Sequence, residues 1–212
     1  MNCCSAPPPG WEIFDERQAR RDARRYRRKG LGKTERWLID SIAPEDGDVL
    51  EIGGGVGALE IELLRGGAGR ATNVELSPAY EEEAASLLHE AGLEGRVERR
   101  VLDFAIDHAD VPAADVVVMH RVVCCYPDVD ALVEPAAAKA RRALALTFPR
   151  DTWWMRAGVW GANVWMRVSG RAFRSYVHDP ARIFAAATNQ GLVRTRDHCG
   201  LIWRLAAFER PA

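Results

Sequence analysis

The sequence predicts an α/β protein built on an open, mostly parallel, doubly wound sheet. Two observations carry that reading. From Val49 onward, short apolar runs of strand length alternate with helix-length segments. The chain then finishes on two adjacent strand-like runs, Leu192–Cys199 and Leu201–Phe208, which read as a hairpin closing the sheet. At 212 residues there is room for one domain. A composition of 48% hydrophobic and 28% charged residues excludes a mainly disordered chain, a collagen-like repeat and a coiled-coil rod. The formal net charge of −1 gives the chain as a whole no bulk attraction to nucleic acid or membrane. No run of 18 apolar residues occurs, so no transmembrane segment is expected. Met1–Gly10 lacks a basic segment followed by an apolar one, so no secretory signal is expected either. With five cysteines, an odd number, the expectation is reduced thiols in a cytoplasmic protein.

The elements follow in order. Pro7, Pro8, Pro9 and Gly10 make an extended start. The stretch Arg17–Arg36 is dense in Lys and Arg, with only Asp22 and Glu35 as acids. Within it Ala19, Ala23 and Tyr26 fall at helical spacing, which predicts a basic helix broken by Gly30 and Gly32. A second helix, Lys33–Ile42, puts Trp37, Leu38 and Ile42 on one face, and Pro44, Glu45, Asp46 and Gly47 form a turn. Strands are expected at Val49–Ile52, Ala71–Val74, Val97–Leu102, Asp115–Met119 and Ala143–Phe148. The fourth of these is apolar throughout, as a central parallel strand should be. Helices are expected at Ala58–Arg65, Pro78–Glu90, Val129–Arg141 (despite Pro135), Trp153–Val168 and Pro180–Gln190. No internal repeat and no linker divides the chain. It reads as a single domain, with residues 1–43 as an N-terminal helical lid and 44–212 as the core.

The most informative stretch is Val49-Leu-Glu-Ile-Gly-Gly-Gly-Val-Gly57. A buried strand runs through a glycine turn into a helix, so a ligand can lie against bare backbone and free N–H groups. Such a turn also suits NAD, FAD and nucleotides. Two features discriminate. Glu51 lies two residues before Gly53, where a carboxylate repels a pyrophosphate but attracts an ammonium. Glu75 ends the second strand, where a carboxylate can accept both hydroxyls of a ribose. Asp103-Phe104 follows the third strand and can hydrogen-bond and stack on an adenine.

With these residues the chain resembles the class I S-adenosylmethionine-dependent methyltransferases. The acidic–x–Gly–x–Gly–x–Gly pattern matches Glu51, Gly53, Gly55 and Gly57; the ribose carboxylate matches Glu75, and the adenine-side acid matches Asp103. The resemblance implies a Rossmann-like seven-stranded sheet, mostly parallel with a C-terminal antiparallel hairpin, preceded by N-terminal helices. It implies S-adenosylmethionine as cofactor, held by Glu51, Gly53, Gly54, Gly55, Gly57, Glu75, Leu76, Asp103, Phe104 and His120 along the carboxyl ends of the strands. That cofactor has an ammonium, a sulfonium and no phosphate, which suits three acidic residues. Locally the loop Met119–Tyr126 and Thr147-Phe-Pro-Arg150 are similar to magnesium-protoporphyrin O-methyltransferases, although His120 departs from that pattern.

Methyl transfer aligns a nucleophile with the sulfonium and excludes water. Acceptor groups therefore belong after the fourth and fifth strands. His120 is the candidate general base, against a purely structural histidine. Tyr126 is a second candidate catalytic residue, against a packing role. Arg121 is a candidate for an acceptor carboxylate or for a nearby Asp. Four of the seven tryptophans lie in Trp153–Val168. They read mostly as a helix face packed on the sheet, with Trp153 or Trp154 at an acceptor pocket; membrane contact is the other reading. The basic helix would present Arg24, Arg25, Tyr26, Arg28 and Lys29 to an anionic acceptor or the cofactor carboxylate. RNA contact, and a solvated helix pairing with the Glu-rich 81–83 stretch, stand beside that reading. The overall charge argues against nucleic acid.

Gly30-Leu-Gly-Lys-Thr34 imitates the end of a phosphate-binding loop, but Arg27 stands where the first glycine belongs and no strand precedes it. The cysteine pairs Cys3-Cys4 and Cys124-Cys125, with Cys199, have no zinc spacing, so no metal is expected; a soft metal bridging the pairs is the minor alternative. The expected function is methyl transfer to a small, aromatic or apolar acceptor whose reacting atom stays open. The competing readings are an NAD(P)-dependent oxidoreductase, a cofactor- or RNA-binding module, and use of the cofactor without methyl transfer. The oligomeric state is not specified by the sequence.

Overall fold

A computed structural model describes residues 10–42 and 47–211 of the chain. Pro7–Pro9, the Cys3-Cys4 pair and most of the expected turn at 44–46 lie outside the described residues. Seven strands form one sheet: β1 (Val49–Ile52), β2 (Ala71–Glu75), β3 (Val97–Val101), β4 (Ala114–His120), β5 (Ala140–Pro149), β6 (Val193–Cys199) and β7 (Trp203–Glu209). Their order is β3-β2-β1-β4-β5-β7-β6. The first five run parallel, and β7 is antiparallel to both β5 and β6. The expected sheet and its closing hairpin are both present. The sheet's edges are β3 and β6, whose sequences Val-Glu-Arg-Arg-Val and Val-Arg-Thr-Arg-Asp-His-Cys carry the charge that discourages further strand addition.

Among the described residues, eight α-helices accompany the sheet: α1 (Glu16–Lys29), α2 (Lys33–Ser41), α3 (Ala58–Arg65), α4 (Glu81–Ala91), α5 (Phe104–Asp107), α6 (Val129–Lys139), α7 (Trp153–Val168) and α8 (Pro180–Thr188). Two apolar layers result, because successive strand residues face opposite ways. Val116 and Val118 of β4, Ala143 and Ala145 of β5 and Leu205 of β7 join Ala19, Ala23, Leu38, Ile61 and Leu87 from α1 to α4. Val117, Met119, Leu144, Leu146 and Phe208 face the other way, onto Leu132, Val133, Ile183 and Ala187 from α6 and α8. Leu38 of α2 is packed in the same layer as the strand residues. Among the described residues, no helix is long and apolar enough to cross a membrane.

Two expectations are corrected. The helix expected to reach Arg141 ends at Lys139, and Ala140 and Arg141 already belong to β5. Ala140 sits opposite Ala114, so the strand ladder claims the residue that a helix pattern would have extended through. The larger correction concerns α7. It has the expected bounds and is capped by Thr152, yet none of its residues is buried. Trp153, Trp160 and Trp165 are 81%, 71% and 67% exposed. The tryptophan face does not pack on the sheet.

Candidate active site

A cavity of about 470 Å³ opens at the carboxyl ends of β1, β2 and β4. That is within the range of small-molecule and cofactor sites. One wall is the glycine turn after β1. Gly53 has φ +67, and a Cβ there would lie 2.3 Å from Cγ2 of Val122, so only glycine fits between β1 and the loop after β4. Gly53, Gly54 and Gly55 line the cavity. Gly57 does not. It has φ +77 and leads into α3, where its N–H donates to the Gly54 carbonyl at 2.9 Å. Its positive φ turns the chain into the helix.

The three acids fall where the sequence reading placed them. Glu51 lies on the α3 side of β1 because Leu50 and Ile52 take the other side. It lines the cavity, and its Oε2 accepts the Glu60 backbone N–H at 3.0 Å. Burial, and then the charge of Glu60, push the Glu51 carboxyl well above the usual carboxylate range. Glu75 lines the cavity at the end of β2. Its two oxygens accept the N–H groups of Gly55 and Ser77, both at 2.9 Å, and Leu76 lines the cavity beside it. Burial raises its pKa, and the two backbone donors oppose the rise. Asp103 caps α5 through Ala105 N–H at 3.0 Å, and Phe104, buried beside it, completes that wall.

A buried arginine that the sequence reading missed holds this end together. Arg99 Nη2 donates to the Gly55 carbonyl and to Glu81 Oε1, each at 2.9 Å, and Nη1 reaches Glu60 Oε1 at 3.5 Å. Glu60 itself is fully buried and accepts from Asn73 Nδ2 at 2.8 Å. Arg99 stands in an edge strand as one of several charged residues, so nothing local in the sequence sets it apart.

The other end of the cavity is built by the loop after β4 and by α1 and α2. His120 lines it, with Nε2 2.9 Å from Thr34 Oγ1 and Nδ1 3.9 Å from Glu35 Oε1. Arg121 Nη2 donates to the same Thr34 hydroxyl at 3.1 Å, so one side chain of α2 engages both residues. Burial pushes the His120 pKa down to about 4, so the ring is neutral at neutral pH. Glu35 is buried, accepts from Arg25 Nη2 at 2.9 Å and from the Gly32 N–H, and also lines the cavity. Arg121 takes a left-handed backbone (φ +59), lies over the Trp203 ring at 4.6 Å and lines the cavity. Tyr126 lines it too, but its hydroxyl is already given to Asp103.

Several expected acceptor contacts are not brought here. Of the residues expected on the basic helix, Arg25 alone lines the cavity, joined by Gln18 and Asp22. The Tyr26 hydroxyl instead donates to Glu62 at 2.6 Å, since its helix face meets α3. Arg27 pairs with Glu83 and Glu90 of α4, as the solvated-helix reading foresaw for the Glu-rich stretch. Trp153 and Trp154 line no part of the cavity. The aromatic wall comes from Trp11 and Phe14, which pack with Phe173 at ring-centroid distances of 5.8 and 5.4 Å. The segment 171–178 that carries Phe173 is tied down by Tyr176 N–H on the Cys124 carbonyl (2.8 Å) and by His178 Nε2 on the Tyr126 carbonyl (2.9 Å). Cys125 lines the cavity, 3.8 Å from Cys124 Sγ to Sγ. Among the described residues, no group of three or more His, Cys, Asp or Glu is placed to hold a metal ion.

Comparison with known proteins places this arrangement. A magnesium protoporphyrin IX methyltransferase from Synechocystis PCC 6803, solved with SAH bound, superposes with a TM-score of 0.63 at 22% identity, over 94% of this chain and 84% of that one. The chain has the fold of the class I S-adenosylmethionine-dependent methyltransferases. An O-methyltransferase family protein from Burkholderia thailandensis shares that methyltransferase fold with a TM-score of 0.73 at 17% identity, over 95% of this chain and 63% of that one. An O-methyltransferase family 2 protein from Planctomyces limnophilus, in complex with apigenin, gives 0.69 at 15%, over 91% and 62%. No protein-family model matches the sequence, and no curated protein does.

Proposed function

We propose that this protein is an S-adenosylmethionine-dependent methyltransferase acting on a small acceptor. The observation that carries the reading is the placing of Glu51, Glu75 and Asp103 around one cavity beside the Gly53–Gly55 backbone. The donor set fits the cofactor and disfavours a dinucleotide. A pyrophosphate beside the glycine turn would face the buried Glu51 carboxyl, whereas an ammonium is attracted to it. Glu51 would hold the methionine end, Glu75 the ribose hydroxyls, and Asp103 with Phe104 the adenine. The cofactor supplies an electrophilic methyl group when bound. The chain's own residues orient it and exclude water, the Trp11, Phe14 and Phe173 cluster closing the aromatic side.

The acceptor belongs at the His120 end. For an acceptor that carries a proton, His120 is the base: its ring is neutral, and Glu35 lies near Nδ1 to stabilise the imidazolium once formed. Taking that proton on Nε2 requires the acceptor to replace the Thr34 hydroxyl. Arg121 and Arg25 favour an acceptor with an anionic or strongly polar edge, and the aromatic wall favours an apolar body. The free thiols Cys124, Cys125 and Cys199 suit a cytoplasmic location. Calorimetric titration with S-adenosylhomocysteine, with NADH as control, tests the reading. Micromolar binding of the former alone supports it, and heat from NADH alone overturns it.

A further inference from the structure

We propose that the outward face of α7 docks on an anionic lipid surface. The inference stands on the helix itself and does not depend on methyl transfer. At 16 residues α7 is too short to span a bilayer. It nevertheless carries an apolar face that none of the described residues covers. Trp153, Trp160, Val164, Trp165 and Val168 are all exposed and lie on the solvent side, interspersed with Ala157 and Gly161. The side turned toward the protein carries Met155, Val159, Asn163 and Met166, each half-buried. Asn163 is the anchor. Its amide accepts the Ser175 N–H at 2.9 Å and donates to the Ser175 carbonyl at 2.8 Å, fixing which side faces out.

A second exposed apolar pair lies outside the helix. Leu201 and Ile202, in the turn of the closing hairpin, are exposed, and the Ile202 carbonyl accepts the Arg150 N–H at 2.8 Å just ahead of α7. Large apolar side chains exposed along one helix face mark an interaction site.

Charge and residue type select the occupant. From Trp153 to His178 the chain contains Arg156, Arg167, Arg171 and Arg174 and no acidic residue. Of the acids that flank the stretch, Asp151 pairs with Arg156 at 2.5 and 2.8 Å, and Asp179 caps α8 through the Ala181 N–H at 2.8 Å. Arg167 and Arg171 are exposed and have no ion pair among the described residues. A second copy of this face, brought up by a two-fold axis, would set arginine against arginine. An anionic headgroup layer meets the same arginines favourably, and it seats tryptophan at its preferred depth, ring among acyl chains and N–H toward water. Docked this way, α7 puts the lipid surface beside segment 171–178, the stretch that follows the helix and whose Phe173 packs on Trp11 and Phe14 of the cavity wall.

The test uses the full chain and vesicles of phosphatidylcholine, with and without phosphatidylglycerol. Sedimentation with the anionic vesicles, and quenching of tryptophan fluorescence by brominated phosphatidylcholine in them, are the expected results. Trp153→Ser with Trp160→Ser and Trp165→Ser should abolish both while the far-ultraviolet circular dichroism stays unchanged, because none of the three is buried. Arg167→Gln with Arg171→Gln should weaken binding to the anionic vesicles roughly 30-fold, at about a fivefold loss per arginine. Absence of wild-type binding overturns the proposal, as does binding that the tryptophan variant retains. Self-association that the tryptophan variant abolishes, with no bromine quenching in the wild type, overturns it in favour of a second copy.

Discussion

The Tyr126 hydroxyl donates to the Asp103 carboxylate, lying 3.0 and 2.9 Å from its two oxygens across the cavity that both residues line. The same carboxylate caps α5 through the Ala105 N–H. Asp103 is thus oriented before any ligand arrives, and burial and the neighbouring Asp103 raise the Tyr126 pKa, so the phenol stays a donor rather than a base.

Tyr126→Phe should therefore weaken cofactor binding by about 0.5–1.5 kcal/mol, the worth of one hydrogen bond, with little change in turnover at saturating cofactor. Titration with S-adenosylhomocysteine and a saturated rate measurement separate the two. A loss of turnover at unchanged affinity would move Tyr126 to the acceptor side.

Glu75→Ala removes the carboxylate that gathers the Gly55 and Ser77 N–H groups and would face the ribose. A loss of roughly 1–3 kcal/mol in S-adenosylhomocysteine affinity is expected. Binding as tight as wild type would break the assignment of the cavity.

Glu60 is held at about 7 by burial, above its ordinary 4.5, and Glu51 is raised as well. Both folded-state values lie above the unfolded ones, so between 4.5 and about 7 the native protein binds more protons than the unfolded chain. The stability this represents is complete below 4.5 and is lost as pH rises through about 7. The melting temperature of the ligand-free protein should fall over that window, and Glu60→Gln should flatten the fall. An ammonium placed beside Glu51 draws its pKa down. Binding should therefore release protons, visible as a buffer-dependent heat.

Arg99→Met strands Glu60 and Glu81 and frees the Gly55 carbonyl. Removing one partner of a buried ion pair costs about 3–5 kcal/mol, so urea unfolding should show a loss of that order. Arg99→Lys should recover only part of it, because an ammonium cannot span three acceptors with the geometry of a guanidinium.

His120→Gln should lower turnover on proton-bearing acceptors and leave cofactor affinity nearly unchanged. With its pKa near 4, His120 is already neutral at pH 5 and above, so the rate should show no inflection near 6.5 from this group. An inflection there that vanishes in the variant would contradict the buried, neutral ring.

The parts of the fold legible in the sequence are those with local causes. β1 and α3 fall where the apolar run and the glycines set them, Glu51 is visible as a carboxylate two residues ahead of Gly53, and Glu75 and Asp103 as acids closing the next two strands. Arg99 was not visible: its partners Glu60 and Glu81 come from other elements, and only the folded sheet gathers them. Tyr26 was misread for a related reason. Its spacing with Ala19 and Ala23 correctly marks the inward face of α1, but that face meets Glu62 of α3 rather than the cavity. The tryptophans misled because α7 is apolar on both sides, with Met155, Val159 and Met166 opposite Trp153, Val164 and Val168. A helix without a single apolar stripe does not announce which side is covered.

β7 stands between β5 and β6 although it follows both in the chain. During synthesis, β6 therefore has no neighbour to pair with until Trp203–Glu209 has been made, and β5 waits with one edge open. That edge belongs to a strand buried on both faces, of the kind that pairs readily with other chains. This half of the sheet cannot assemble progressively from its N-terminal side; it is completed in one step, by insertion of the strand made last. An interruption before residue 203 leaves two unfilled ladders rather than a shorter version of the same sheet.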